Sequence, residues 1–282
     1  MLLVLGLGYS GMAVARAAVA AGLPVAGTMR VPRPGAPEGV RVLPFAEAGP
    51  AIRAATHLLV TAGPEEAGAD PVLSTHAAAV AAAPGLRWVG YMSTTGVYGD
   101  RAGGWVEEDT APAPGQERSR RRLEAEAAWR AALAPRGVAL DLLRTAGIYG
   151  PGRNALEDLR AGRARRVDRP GQMFSRIHVG DIARAVLAAA AQSGGRPEGA
   201  RVLHLADDLP AANADVVAEA ARLLGVEAPP LLPFEAAFAA MSPMARSFWA
   251  ENRRISSART QARLGLVWRY PSYREGLRAL LG

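Results

Sequence analysis

The 282-residue chain contains no cysteine, and all 33 of its basic residues are arginine, so it has no lysine either. The first absence excludes disulfides, thiol nucleophiles and cysteine metal sites, and no metal site is expected. The second excludes every lysine-dependent mechanism. No run approaches the roughly 18 consecutive apolar residues of a membrane span, so no membrane partner is expected. The apolar start "MLLVLGLGYSG" lacks a basic leader and is broken by glycines within a few residues, which reads as a first strand and makes cytoplasmic placement the expectation. Aromatics are few, at 6%, and the net charge of +7 comes from arginines scattered along the chain. A nucleic-acid reading would rest on that charge alone and would require a steep salt dependence. A solvated surface is the commoner origin of such charge, and a nucleic-acid partner is not expected.

What is present is a half-hydrophobic chain, long enough for one large or two modest domains. Short apolar runs alternate with alanine-rich helical stretches. "MLLVLG", "PVAGTMR", "VRVLPF", "THLLVTAGP" and "LRWVGYMST" read as five strands. Helices follow at "GMAVARAAVAAG", Ala48 to Ala55 and Ser74 to Ala83, and "VALDLLRTAGIYG" reads as a sixth strand. The fold class this predicts is α/β, a Rossmann-type doubly wound parallel sheet with a smaller C-terminal substrate lobe. Residues 1–150, joined by 178–206, should form the dinucleotide-binding domain, and 151–177 with 207–282 the lobe.

"GLGYSG" sets Gly6, Gly8 and Gly11 in GxGxxG spacing between the first strand and the first helix. Gly6 suits a tight turn, Gly8 a close approach of backbone to a pyrophosphate, and Gly11 helix-to-strand packing. The helix N-terminus offers unpaired N–H groups to the phosphates. Leu7, Tyr9, Ser10 and Met12 complete this candidate cradle. An NAD-selective site usually has an acidic residue about 20 positions on, but Thr28, Met29 and Arg30 end the second strand here, with Arg33 beyond. Arginine suits a 2′-phosphate bidentately, so NADP is favoured over NAD.

"STTGVYGD", Ser93 to Asp100, together with "WVEEDTAPAPG", "LLRTAGIYGPG" and "RIHVGDIARAV", resembles the extended and atypical short-chain dehydrogenases/reductases, the epimerase and dehydratase group, over nearly the whole chain. The resemblance places the catalytic hydroxyl at Thr94 and adds Thr61, Ala62, Gly63, Ser93, Ala146 and Ile148 to the cofactor residues. It implies substrate contacts from Tyr149, Arg153, Arg176 and His178, and a homodimer through the helices after strands four and five. The group's Tyr-x-x-x-Lys pair falls on the helix "ERSRRRLEAEAAW", at Arg118 and Arg122. Arg122 keeps a cation for the cofactor ribose, whereas a guanidinium at Arg118 cannot serve as acid or base. Tyr98 is then the candidate proton donor beside Thr94, with Tyr149 and His178 as further groups to weigh.

Two readings of function follow from these residues. One is an NADP-dependent reductase or epimerase/dehydratase-like enzyme acting on a small polar or sugar-like substrate. The other is a non-catalytic NADP-binding module whose occupancy regulates a partner.

Overall fold

A computed structural model describes residues 1–31, 35–65, 68–194 and 199–281. In chain order its elements to Tyr149 are β1 (Leu2–Leu5), α1 (Tyr9–Ala20), β2 (Val25–Met29), β3 (Val40–Pro44), α2 (Gly49–Ala54), β4 (His57–Val60), α3 (Pro71–Ala81), β5 (Trp88–Thr94), β6 (Trp105–Val106), α4 (Glu117–Leu133), β7 (Ala139–Thr145) and β8 (Gly147–Tyr149). The remainder comprises α5 (Ala155–Arg160), β9 (Arg166–Asp168), β10 (Arg176–His178), α6 (Val179–Ala191), β11 (Ala200–Leu205), α7 (Asn213–Leu224), β12 (Leu231–Pro233), α8 (Phe234–Ala239), α9 (Pro243–Trp249), β13 (Arg254–Ile255), α10 (Ala258–Leu264) and α11 (Tyr273–Arg278).

Seven strands form the central sheet in the order β11-β7-β5-β4-β1-β2-β3. The neighbours of β1, β2 and β4 run parallel, and the chain reverses its winding direction at β1. That reversal defines the doubly wound class, whose ligands bind beyond the carboxyl ends of the strands near the switch point. The strands are short continuous apolar runs because helices cover both faces. Leu3, Leu5, Leu58, Val60, Val89, Tyr91, Leu140 and Leu142 alternate along four of them and pack one face against Ile52, Trp129 and Leu133.

Contacts divide the chain into two compact units. The first is Met1–Thr94, Glu117–Arg144 and Ile182–Leu203; the second is Thr95–Gln116, Thr145–Asp181 and His204–Gly282. The segment 95–116, placed in the first domain by sequence, thus joins the second unit, while α6 returns to the first. Within the second unit, three two-stranded parallel pairs, β8 with β10, β9 with β12 and β6 with β13, tie the loops. Its apolar clusters centre on Leu156, Val216, Tyr273 and Leu277, and on Val167 and Trp249.

Three local expectations change. The single strand read across "VALDLLRTAGIYG" is two, because the chain swaps partners in mid-run: Ala146 N–H donates to Leu205 carbonyl, but Gly147 N–H donates to Ser175 carbonyl. The helix expected at Ser74 begins at Pro71, where Asp70 accepts the N–H groups of Val72 and Leu73 at 3.0 Å and proline occupies the first turn. The last sheet strand, β11, lies in "ARVLHL", a stretch whose residues are half-buried at its start and lack strict alternation.

Candidate functional site

The turn from β1 into α1 is pinned by two threonines. Gly6 N–H donates to Thr28 Oγ1 at 3.1 Å, and Leu7 N–H donates to Thr28 carbonyl at 2.7 Å. From β4, the Thr61 hydroxyl donates to Gly6 carbonyl. Gly6 has φ +112°, a backbone region closed to L side chains, and a Cβ there would come within 2.7 Å of Thr61 Oγ1. At Gly11 a Cβ would meet Gly6 carbonyl oxygen at 2.2 Å, so the helix can lie on this strand only without a side chain there. A Cβ on Gly8 would meet nothing within 4 Å, which leaves the backbone open to a ligand at the N-terminus of α1. Gly6 therefore makes the tight turn and Gly11 the helix-on-strand contact that the spacing predicts, while Gly8 leaves its backbone uncovered.

These residues border a cavity of about 610 Å³. Gly6, Leu7, Gly8, Thr28, Met29, Arg30, Thr61, Ala62 and Gly63 line it, joined by Phe45 and Glu65, which sequence reasoning missed. Tyr9, Ser10, Gly11 and Met12 instead build the first turn of α1, where Met12 N–H donates to Gly8 carbonyl at 2.9 Å. Arg30 is 88% exposed in its side chain and sits 3.8 Å from Glu65. Arg33 falls outside the described residues.

The arginine-rich helix, α4, buries Ser119, Ala125, Glu126, Trp129 and Leu133 on one face. Arg122 lies on that face between Ser119 and Glu126, as three- and four-residue spacing requires. Its guanidinium donates to Met92 carbonyl at 2.7 Å and to Tyr91 hydroxyl at 3.4 Å. It also packs over Gly63, whose Cβ would come within 2.4 Å of it. Arg122 therefore holds its cation beside the cradle wall formed by Gly63.

Ser93 has a different neighbour. Its hydroxyl donates to Glu126 at 2.5 Å, and Arg144 donates to both oxygens of the same carboxylate at 3.0 and 2.7 Å. Glu126 is 1% and Arg144 3% exposed. Ser93 thus braces β5 against α4 inside the fold, next to Thr94 at the strand end. Sequence reasoning missed the Glu126–Arg144 pair. The available signal was the position of Glu126, one turn beyond Arg122 on the buried face.

In the second unit, Tyr98 is fully buried, with its hydroxyl 2.5 Å from His204 Nε2. His204 Nδ1 lies 2.7 Å from Ser256 carbonyl, so Nδ1 carries the ring proton and Nε2 accepts from Tyr98. The phenolic proton is committed inside the fold. Tyr149 donates to Ser272 carbonyl at 3.3 Å, and burial followed by the charges of Asp207 and Asp181 pushes its phenol far above the usual range. Neither tyrosine is placed as a ready acid.

Tyr149, Arg153 and Arg176 line a second cavity, about 390 Å³, with Arg163, Arg165 and the apolar wall of Trp249, Tyr273 and Val216. Ile148 lines this cavity too, whereas Ala146 is buried at the end of β7. Arg176 donates to the carbonyls of Phe174 and Ala211 at 2.8 and 3.0 Å, and burial pulls its guanidinium below its usual value. Asp207, fully buried near it, has its carboxyl raised well above the ordinary range by desolvation. The second cavity therefore gathers four arginines, of which Arg163 is paired with the lining Asp158 at 3.0 Å, beside apolar side chains.

His178 stands behind Tyr149 and does not line the cavity. Gly180 N–H donates to its Nδ1 at 3.1 Å, which puts the proton on Nε2, and the rings of Tyr149 and Tyr270 pack against it at 5.3 and 4.1 Å. Burial holds its pKa below the usual 6.5 despite Asp181. A depressed folded pKa contributes stability above the unfolded value and loses it as pH falls. Against a His178→Gln variant, wild type should lose stability below pH 6.5, by up to about 1.4 kcal/mol per pH unit. Parallel urea-unfolding profiles of the two proteins between pH 7.5 and 5.5 would refute this.

Beyond these sites, no helix among the described residues is long and apolar enough to cross a membrane.

A doubly wound parallel sheet with a glycine turn at its switch point defines a Rossmann-type fold. Comparison sharpens the class. The chain is 42% identical to a functionally unknown conserved protein from Silicibacter pomeroyi, over 99% of this chain and 97% of that one, with a TM-score of 0.87. It is 27% identical to a candidate NAD-dependent epimerase/dehydratase from Methylobacillus flagellatus, over 99% and 97%, with a TM-score of 0.72. The human epimerase family protein SDR39U1, solved with NADPH, shares 20% identity over 99% of both chains at a TM-score of 0.76. No protein-family model and no curated protein sequence matches the chain. The chain is thus similar in sequence and fold to epimerase/dehydratase-type proteins of the short-chain dehydrogenase/reductase group.

Proposed function

We propose that the protein is an NADP-preferring oxidoreductase of the epimerase/dehydratase type, acting on a small polar or anionic substrate. The observation that supports this is the glycine turn itself: Gly6 at positive φ, Gly8 with nothing covering it and Gly11 packed on the turn, beside a cavity whose rim has Arg30 where NAD-selective sites carry an acid. Gly6, Gly8 and the N-terminal backbone of α1 would hold the pyrophosphate, Arg30 the 2′-phosphate and Arg122 the ribose near Gly63. When bound, the nicotinamide supplies hydride transfer. Thr94 offers a hydroxyl for a carbonyl or alcohol, and the second cavity, taken by itself, has arginines that suit an anionic group.

A second reading, a nucleotide-occupied regulatory module, is favoured by one specific observation. Both candidate tyrosine hydroxyls donate internally, Tyr98 to His204 and Tyr149 to Ser272.

Calorimetric titration with NADPH and NADH tests the cofactor. NADPH should bind more tightly, and Arg30→Ala should weaken NADPH by about 10- to 100-fold through loss of charge-assisted hydrogen bonds and NADH by much less. Equal affinities, unmoved by the substitution, would remove the NADP assignment. Nicotinamide absorbance followed across carbonyl and sugar-nucleotide substrates separates the two readings, since the module binds without turnover.

A further inference from the structure

The cradle cavity is lined almost wholly by backbone and uncharged side chains. Among its described lining residues only Arg30 and Glu65 are charged, and their side chains lie beside each other. Arg30 leaves the end of β2, while Glu65 comes from the loop after β4, where Gly68 N–H donates to its carbonyl at 2.9 Å. Arg30 Nη2 lies 3.8 Å from Glu65 Oε1, with the two side chains 88% and 58% exposed. A contact at that distance in water is weak and readily exchanged, so it does not lock the cavity. It does place a carboxylate beside the cation a phosphate would use.

The two nicotinamide cofactors meet this pair differently. A ribose 2′-hydroxyl is both donor and acceptor, so it can accept from Arg30 while donating to Glu65. A 2′-phosphate has only acceptors at neutral pH and carries the same sign as Glu65. It gains Arg30 only by displacing the carboxylate, which then remains nearby as a repulsive charge. We propose that Glu65 sets cofactor selectivity, acting as an internal counter-ion that competes with the 2′-phosphate for Arg30 and thereby keeps NADH a usable ligand. This rests on the cradle reading given above.

Calorimetric titration of NADPH and NADH into wild type, Glu65→Gln, Arg30→Ala and the double variant tests it, with thermal melts to confirm that the folds match. Removing the carboxylate should tighten NADPH by about fivefold and leave NADH unchanged or weaker, a difference of the size one exposed ion pair provides. The gain should vanish in the Arg30→Ala background, because the competition requires both residues. Unchanged NADPH affinity in Glu65→Gln, or an equal gain without Arg30, overturns the proposal. If Glu65→Gln melts early, Glu65→Ser removes the same charge and must change NADPH affinity in the same direction. Wild type binding neither nucleotide would show that the cradle reading itself has failed, and would take this inference with it. Wild type binding both, with no response to Glu65, would overturn the inference alone.

Discussion

Glu126→Ala is expected to lower the free energy of unfolding by about 3–5 kcal/mol, the cost of stranding a buried charge. The carboxylate takes a bidentate pair from Arg144 and a hydrogen bond from Ser93, with all three side chains out of solvent. Removing it leaves the Arg144 guanidinium in the interior without its counter-charge. Replacing both partners together, Glu126→Leu with Arg144→Met, should recover most of the loss, because the desolvation of both ions disappears along with their attraction. Urea unfolding of the three proteins measures this. A loss below about 1 kcal/mol for the single variant would place the pair in the range of solvated surface bridges, contrary to the burial seen. The consequence reaches the candidate site, since Glu126 holds the helix that presents Arg122 and Ser93 immediately precedes Thr94.

Gly8→Val is expected to weaken NADPH binding by about 100-fold, the equivalent of two charge-assisted hydrogen bonds lost at the helix N-terminus. The melting temperature should stay near that of wild type. The reason is geometric: Gly8 has φ −83° and ψ −164°, which any residue can adopt, and its Cβ would point into open space. The new side chain fills the volume the pyrophosphate needs and touches little of the protein. Gly11→Ala provides the contrast. Its Cβ would lie 2.2 Å from Gly6 carbonyl oxygen, so α1 must move off β1, and both stability and binding should fall. Titration alongside a thermal melt separates the two variants. Wild-type NADPH affinity in Gly8→Val would mean that the cradle is not the phosphate site.

Both expectations rest on features that differ in how far a sequence discloses them. The glycine spacing was legible because local backbone geometry dictates it: a tight turn, an open approach and a helix-on-strand contact each demand glycine at a fixed offset. Arg30 could be placed at the end of β2 by counting, since strand and turn lengths in a β/α unit vary little. The buried strands were legible for the same kind of reason, being short apolar runs punctuated by glycine and proline. Where chain partners change without a change of pattern, as at Ala146 and Gly147, the sequence reads as one strand and the hydrogen bonds make two.

Side-chain partners across large separations were not legible. Nothing local to Tyr98 announces that His204, 106 positions on, takes its proton. Nothing in "GPEEAGAD" marks Glu65 as the residue that faces Arg30. Likewise Arg176 and His178 stand two apart on one strand, yet Arg176 reaches the second cavity while His178 packs between tyrosines, a difference that nothing in their spacing discloses. The sequence by itself determined the doubly wound sheet, the glycine turn after its first strand and the absence of any lysine, because these depend on periodicity, residue chemistry and short fixed spacings. Only the tertiary structure decided which charges are paired, which hydroxyls are committed and which arginines share a cavity. Those outcomes depend on which distant segments the sheet order brings side by side and on how far each polar group is withdrawn from water.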